Sequence, residues 1–172
     1  MAEASELTLV LIRHAIAEDR DDFARTGNSD DLRPLTDRGK RRMEKAARGL
    51  HRVVPAWDRL LSSPLLRARQ TAEIVRDAFD GPEIESLEAA ATGDGNELLA
   101  ALRTADRGST IAIVGHEPIH GDWTAWLLTG AVEGFLSYKK GEACALWFAG
   151  AIRPGRASLL WKIRPRQLRQ LA

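Results

Sequence analysis

The chain has 172 residues, 44% hydrophobic and 28% charged, with 25 basic and 24 acidic side chains for a formal net charge of +1. That length fits one domain, expected over residues 1–172, with room for a real core, and so even a charge balance gives no general footprint for nucleic acid or a membrane surface. Cys144 is the only cysteine, which excludes an internal disulfide framework and a zinc site built from several cysteines.

Charges break every apolar run well before the roughly twenty residues that cross a bilayer, so no membrane span is expected. The first six residues, Met1-Ala2-Glu3-Ala4-Ser5-Glu6, are acidic and lack the basic-then-apolar layout of a signal peptide. A cytoplasmic location is the expectation.

The run Leu7-Thr8-Leu9-Val10-Leu11-Ile12 reads as a strand buried on both faces of a parallel sheet, and it ends in Arg13 and His14. In open α/β sheets ligands bind beyond the carboxyl ends of strands, so these two side chains stand at a candidate site. The stretch from Ile16 to Leu35 carries many charges and no apolar period, and is predicted to be a long surface loop, or a lid or docking surface over His14. Thr36 then caps a helix, with Met43, Ala46, Ala47, Leu50 and Val54 forming its buried stripe. Arg38, Lys40, Arg41, Arg42 and Lys45 crowd its start and form either a solvated face or a seat for an acidic partner.

Asp58 to Ser62 is predicted as a second strand, and Ser63-Pro64 as the capped start of a helix running from Leu65 to about Phe79. Its buried side is expected to hold Leu66, Ala68, Thr71 or Ala72, Val75 and Phe79. Arg67 falls in the first turn, against the helix dipole, which suggests an anion shared with the free backbone N–H groups. Glu83 to Leu87 reads as an edge strand, and Asn96 as the cap of a short helix burying Leu98, Leu99 and Leu102. Ser109 to Gly115 repeats the pattern of the first strand and delivers His116. A helix follows at Ile119 to Leu128, and Ala143–Phe148 with Ser158–Ile163 reads as an antiparallel hairpin at one edge of the sheet. Residues 164–172 form a basic tail or a short helix. The predicted class is a three-layer α/β/α fold: a mostly parallel central sheet, helices on both faces and an antiparallel C-terminal edge hairpin.

Arg13, His14, Arg67 and His116 would together make a pocket for a tetrahedral dianion, and a phosphoryl group is the natural occupant. No P-loop or kinase glycine loop is present, and no carboxylate cluster ends these strands to hold magnesium. The nucleophile would then come from the protein, and an imidazole can supply it. No cofactor and no metal are expected.

Four segments also resemble the successive signatures of the histidine phosphatase superfamily, with its phosphoglycerate-mutase-like fold. They are Leu11-Ile12-Arg13-His14-Ala15, Arg33-Pro34-Leu35-Thr36-Asp37-Arg38-Gly39, Ser62-Ser63-Pro64-Leu65-Leu66-Arg67-Ala68-Arg69-Gln70-Thr71-Ala72 and Val114-Gly115-His116-Glu117-Pro118. Ala15 replaces the glycine of the usual Arg-His-Gly triplet, and with the short length this resembles the SixA branch, whose type member is a phosphohistidine phosphatase. The resemblance implies that His14 becomes phosphorylated and that Arg13, Arg67 and His116 bind the phosphoryl group; on physical grounds His116 is better protonated, adding positive charge beside the two arginines as the phosphoryl transfers. It also implies an acid for ester substrates. Glu88 is the nearest candidate by order, with Glu18 and Asp19 as further ones. Ser62 or Ser63 is a further candidate to bond the phosphate, with N-capping the expected job of Ser63.

The expected partner is a phosphorylated protein, with a small phosphate ester as the alternative. A good leaving group such as protonated imidazole needs no strong acid, which favours a P–N substrate. Other readings are a small-molecule phosphomonoesterase, a silent phosphate-binding module, and a metal-binding protein using both histidines.

Overall fold

The computed structural model describes residues 6–172. The acidic N-terminal stretch over residues 1–5 lies outside the described residues. Six strands form one mixed sheet: β1 (Leu7–Arg13), β2 (Arg59–Ser62), β3 (Ile84–Ser86), β4 (Ser109–Gly115), β5 (Ala143–Phe148) and β6 (Ala157–Ile163), in the spatial order β3-β2-β4-β1-β5-β6. The pairs β1–β4, β2–β4 and β2–β3 are parallel, whereas β5 runs antiparallel to both β1 and β6. The predicted edge hairpin is therefore present, with a register shift near Ala145 and Leu146.

Among the described residues seven α-helices surround the sheet: α1 (Arg20–Ala24), α2 (Asp37–Val53), α3 (Leu66–Phe79), α4 (Ala89–Thr92), α5 (Gly95–Arg103), α6 (Ile119–Thr129) and α7 (Pro165–Leu171). Side chains alternate across β1, so Val10 and Ile12 join one core with α2, α3 and α7, while Leu7, Leu9 and Leu11 join the other with α4, α5 and α6. Burial on both faces explains the uninterrupted apolar reading of β1 and β4. Each such side chain contributes roughly 1.5–3 kcal/mol. Cys144 is buried in β5, as a small apolar residue would be.

Several local expectations change. Residues 16–35 are not irregular throughout: Asp19 caps α1 through the N–H groups of Asp21 and Asp22, and a 3-10 turn spans Asp30–Leu32. The segment is stitched to the body by an antiparallel bridge between Ala17 and Leu35 and by the Thr36 N–H to the Ile16 carbonyl. Gly39 is required there, because a Cβ would lie 2.0 Å from the Ile16 oxygen. Asp94, not Asn96, caps α5, accepting from the N–H groups of Asn96 and Glu97. Helix α3 begins at Leu66 without a side-chain cap, and its buried side takes Arg67 rather than Leu66.

Candidate functional site

Parallel pairing of β1 with β4 sets Arg13 opposite Gly115, so His14 and His116 leave the sheet side by side at the carboxyl edge. The His14 N–H donates to the Gly115 carbonyl at 2.9 Å, and the two imidazole centroids are 5.1 Å apart. β2 pairs with β4 on its other side, with Ser62 opposite Val114, which brings Ser63 to the same edge. Helix α3 follows directly and carries Arg67 into it. All four residues singled out from sequence, Arg13, His14, Arg67 and His116, line one cleft of about 270 Å³.

The His14 ring is held at one nitrogen. Nδ1 lies 2.7 Å from the Ala15 carbonyl, an acceptor that fixes the proton on Nδ1 and leaves Nε2 with a free lone pair. The Ala15 N–H in turn donates to Thr71 Oγ1 at 3.0 Å, and that hydroxyl donates to the Arg67 carbonyl at 2.7 Å. The Gln70-Thr71 pair of α3 thus ties down the backbone around the ring, Gln70 Oε1 accepting the Leu35 N–H at 2.8 Å. Burial, joined by His116, Arg67 and Arg13, lowers the His14 pKa to about 2. At neutral pH the ring is uncharged, as an attacking nitrogen must be.

Burial first, then Arg67, Arg13 and Arg33, lower the His116 pKa to about 4, so in the open cleft it is neutral at pH 7. Its Nε2 lies 2.8 Å from Ser63 Oγ, and its Nδ1 has no partner. Ser63 therefore serves His116 instead of capping α3; toward the helix start its hydroxyl accepts a 3.3 Å contact from the Leu65 N–H. Ser62 turns its hydroxyl to the Ser63 carbonyl.

The guanidiniums are anchored at one end and open at the other. Arg13 Nη1 donates to the Tyr138 carbonyl, and Arg67 Nη1 donates to the Asp30 carbonyl at 3.0 Å and sits 3.2 Å from its carboxylate. The Nε atoms of Arg13 and Arg67 are buried without a partner, a state that costs free energy until an acceptor arrives. Arg33, part of the second sequence signature but not singled out as a site residue, also lines the cleft at 5% exposure. It donates to Asp30 Oδ1 at 2.7 Å and to the Glu18 carbonyl at 2.9 Å. Asp30 thus bridges Arg33 and Arg67, and the Arg33 hydrogen bond holds its carboxyl below the usual range. Lys140, from the segment before β5, and Arg20 complete the cationic lining.

Among carboxylates the cleft contains Glu18, Asp19 and Glu117. Glu88 is elsewhere: it is exposed at the start of α4 and lines no part of the cleft. Proximity in chain order misplaced it, because the backbone after β3 turns directly into α4. Glu117 is half-buried, accepts the Gly121 N–H at 3.1 Å, and has its pKa raised by burial. Its signal was its place beside His116 in the fourth signature. His120, fully buried with both ring nitrogens unpartnered and a pKa lowered to about 3, sits behind His116; a lone histidine inside a helix gives no such signal in sequence. Among the described residues no group of three or more His, Cys, Asp or Glu side chains is arranged to hold a metal, and no helix is long and apolar enough to cross a membrane.

The arrangement offers one uncharged ring nitrogen facing a space whose walls carry unpaired N–H donors, which is what a tetrahedral oxyanion needs. Comparison with known proteins agrees. Residues 9–91 match the model of the histidine phosphatase superfamily, branch 1. An uncharacterized protein of Picosynechococcus is 36% identical over 137 residues, spanning 78% of this chain and 81% of the relative. The mitochondrial serine/threonine-protein phosphatase Pgam5 of Drosophila grimshawi is 32% identical over 72 residues, covering 42% of this chain and only 23% of that protein. In structure, the protein histidine phosphatase SixA complexed with tungstate superposes with a TM-score of 0.74 at 24% identity, over 94% of this chain and 99% of that one, which shows a shared fold. Motifs, sheet topology and relatives converge on one assignment: the chain belongs to branch 1 of the histidine phosphatase superfamily.

Proposed function

We propose that this chain is a phosphatase that passes a phosphoryl group through His14, with a phosphohistidine side chain of a protein as its substrate. The observation that carries the reading is the His14 ring itself, bonded at Nδ1 to the Ala15 carbonyl with Nε2 free among Arg13, Arg67 and His116. In the first step Nε2 attacks phosphorus and the substrate P–N bond breaks, its electron pair going to the departing imidazole. Arg13 and Arg67 take the equatorial oxygens through their free N–H groups, and the developing charge favours a proton on His116. Water then attacks the phosphorus of phospho-His14, releasing phosphate and restoring the neutral ring. The structural likeness to a SixA complexed with tungstate, itself a tetrahedral oxyanion, supports the same occupant here.

A protonated imidazole departs without an acid at the scissile bond, so the P–N reading asks least of the cleft carboxyls. The test compares kcat/KM for a phosphohistidine peptide with that for sugar phosphates, nucleotides and an aryl phosphate, in the presence of a strong chelator. Preference for the phosphohistidine peptide is expected. Preference for alkyl esters would replace the substrate reading with a small-molecule phosphomonoesterase, and loss of all activity in chelator would end the mechanism.

A further inference from the structure

Helix α2 places Arg38, Arg41, Lys45, Arg48 and Arg52 at successive steps of three or four residues, with Arg42 four after Arg38 and three before Lys45, which sets all six on one side of the helix. The two carboxylates of α2, Asp37 and Glu44, border that side, each four residues before an arginine (Arg41 and Arg48), yet among the described residues neither forms an ion pair. Helix α7 packs against α2 closely enough that a Cβ on Gly49 would lie 1.8 Å from the Leu168 carbonyl, and adds Arg166 and Arg169, with Arg164 at its N-cap. The surface of these two helices therefore holds ten cations, Lys40 included, against two carboxylates, a surplus of eight, while the whole chain has a net charge of only +1. The remainder of the molecule is correspondingly acidic.

Like charges at such spacing repel and destabilise a helix, and the fold does not relieve them. Among the described residues none of the α2 or α7 cations forms an ion pair, in contrast to Arg33, Arg59 and Arg67 elsewhere. Arg42 and Arg166 add to burial in lowering the Arg169 pKa. The surface also reaches the cleft: Arg42 and Arg169 line a recess with Lys140, and Lys140 lines the cleft that holds His14.

We propose that the α2–α7 face is a docking surface for an acidic region of the protein that presents its phosphorylated histidine to the cleft. This rests on the substrate reading above. A run of carboxylates would complement the unpaired cations, steer the encounter and direct the phosphorylated side chain along Lys140 toward His14. Nucleic acid is the poorer fit: α2 and α7 carry no Phe, Tyr or Trp on which bases could stack, and the sequence pI of about 8.0 is below that of basic nucleic-acid-binding domains.

The test uses the full chain, a glutamate-rich phosphohistidine peptide, the same peptide with glutamines, and the unphosphorylated form of each. The wild-type protein is expected to bind the unphosphorylated glutamate-rich peptide about tenfold more tightly than its glutamine counterpart at low salt, and to show the same preference in KM, both fading as salt is added. The double variant Arg41→Glu, Lys45→Glu should abolish the preference while kcat/KM on an aryl phosphate stays within about twofold. Arg41→Gln, Lys45→Gln repeats the test without reversed charge. No preference in the wild type, a preference that survives both variants, or tighter binding of an oligonucleotide than of the acidic peptide would overturn the proposal. Binding of the acidic peptide without hydrolysis of its phosphorylated form would instead overturn the substrate reading, since the binding arm requires no turnover.

Discussion

Acidification should destabilise this protein more steeply than its carboxylates alone would predict. His14, His116 and His120 are at most 7% exposed, and their pKa values fall from 6.5 to about 2, about 4 and about 3 in the folded chain. A group whose folded pKa is depressed below its unfolded value binds its proton first in the unfolded chain. Stability is therefore complete above about pH 6.5 and declines as the pH falls, each histidine ceasing to contribute further once its own folded pKa is passed. Between about pH 7.5 and pH 5 the linkage amounts to about 2 kcal/mol per histidine and about 6 kcal/mol for the three together. That is a large part of the 5–15 kcal/mol typical of a domain. Urea unfolding followed by tryptophan fluorescence at both pH values measures it directly, five tryptophans being present. A loss below about 2 kcal/mol would show that two or more of these rings are charged or hydrated in the native state, so that at least one of His14 and His116 would not be the dry, neutral imidazole described for the cleft.

Other outcomes follow from the cleft. Arg67→Ala should lower kcat/KM on an aryl phosphate by on the order of 10³, because a buried dianion loses its bidentate partner; near-normal turnover would remove Arg67 from the pocket. Asp30→Asn removes the negative charge that now offsets Arg33 and Arg67, so inhibition by inorganic phosphate should tighten about fivefold. Weaker inhibition would mean that Asp30 acts only by holding the guanidiniums in place. Glu88→Gln should leave ester and P–N turnover within about twofold, as an exposed residue outside the cleft, whereas Glu117→Gln should cost an alkyl ester about tenfold and a P–N substrate less. Equal losses on the two substrates would deny Glu117 a part in leaving-group protonation.

What sequence could disclose here followed from how strongly each residue's neighbours are local. β1 and β4 are buried on both faces, so their apolar runs are continuous and their ends stand out, and with them Arg13, His14 and His116. The stripe of α2 and the C-terminal hairpin were legible for the same reason: periodic burial leaves a periodic sequence. Helix α1 and the 3-10 turn were not, because Asp19 capping and the Asp30 ion pairs hold them with only Phe23 buried, too little for a periodic apolar face. Ser63 was misread because Ser-Pro is a good local helix start, while its actual partner, His116, is 53 positions away in sequence. Arg33 and Glu117 lay inside recognised signatures, yet only tertiary contacts bring them to the cleft. The proton state of His116 depended first on its burial and then on the summed charge of Arg67, Arg13 and Arg33, which no single motif reports.

The central claim is that His14 Nε2 becomes bonded to phosphorus during turnover. Rapid quenching at alkaline pH during turnover of a phosphohistidine peptide, followed by peptide mass spectrometry, should place one acid-labile phosphoryl group on His14. The same treatment of His14→Ala should yield neither the modification nor turnover, with the fold retained. Full turnover by His14→Ala, or a phosphoryl group trapped on another residue while His14 stays unmodified, would contradict the account.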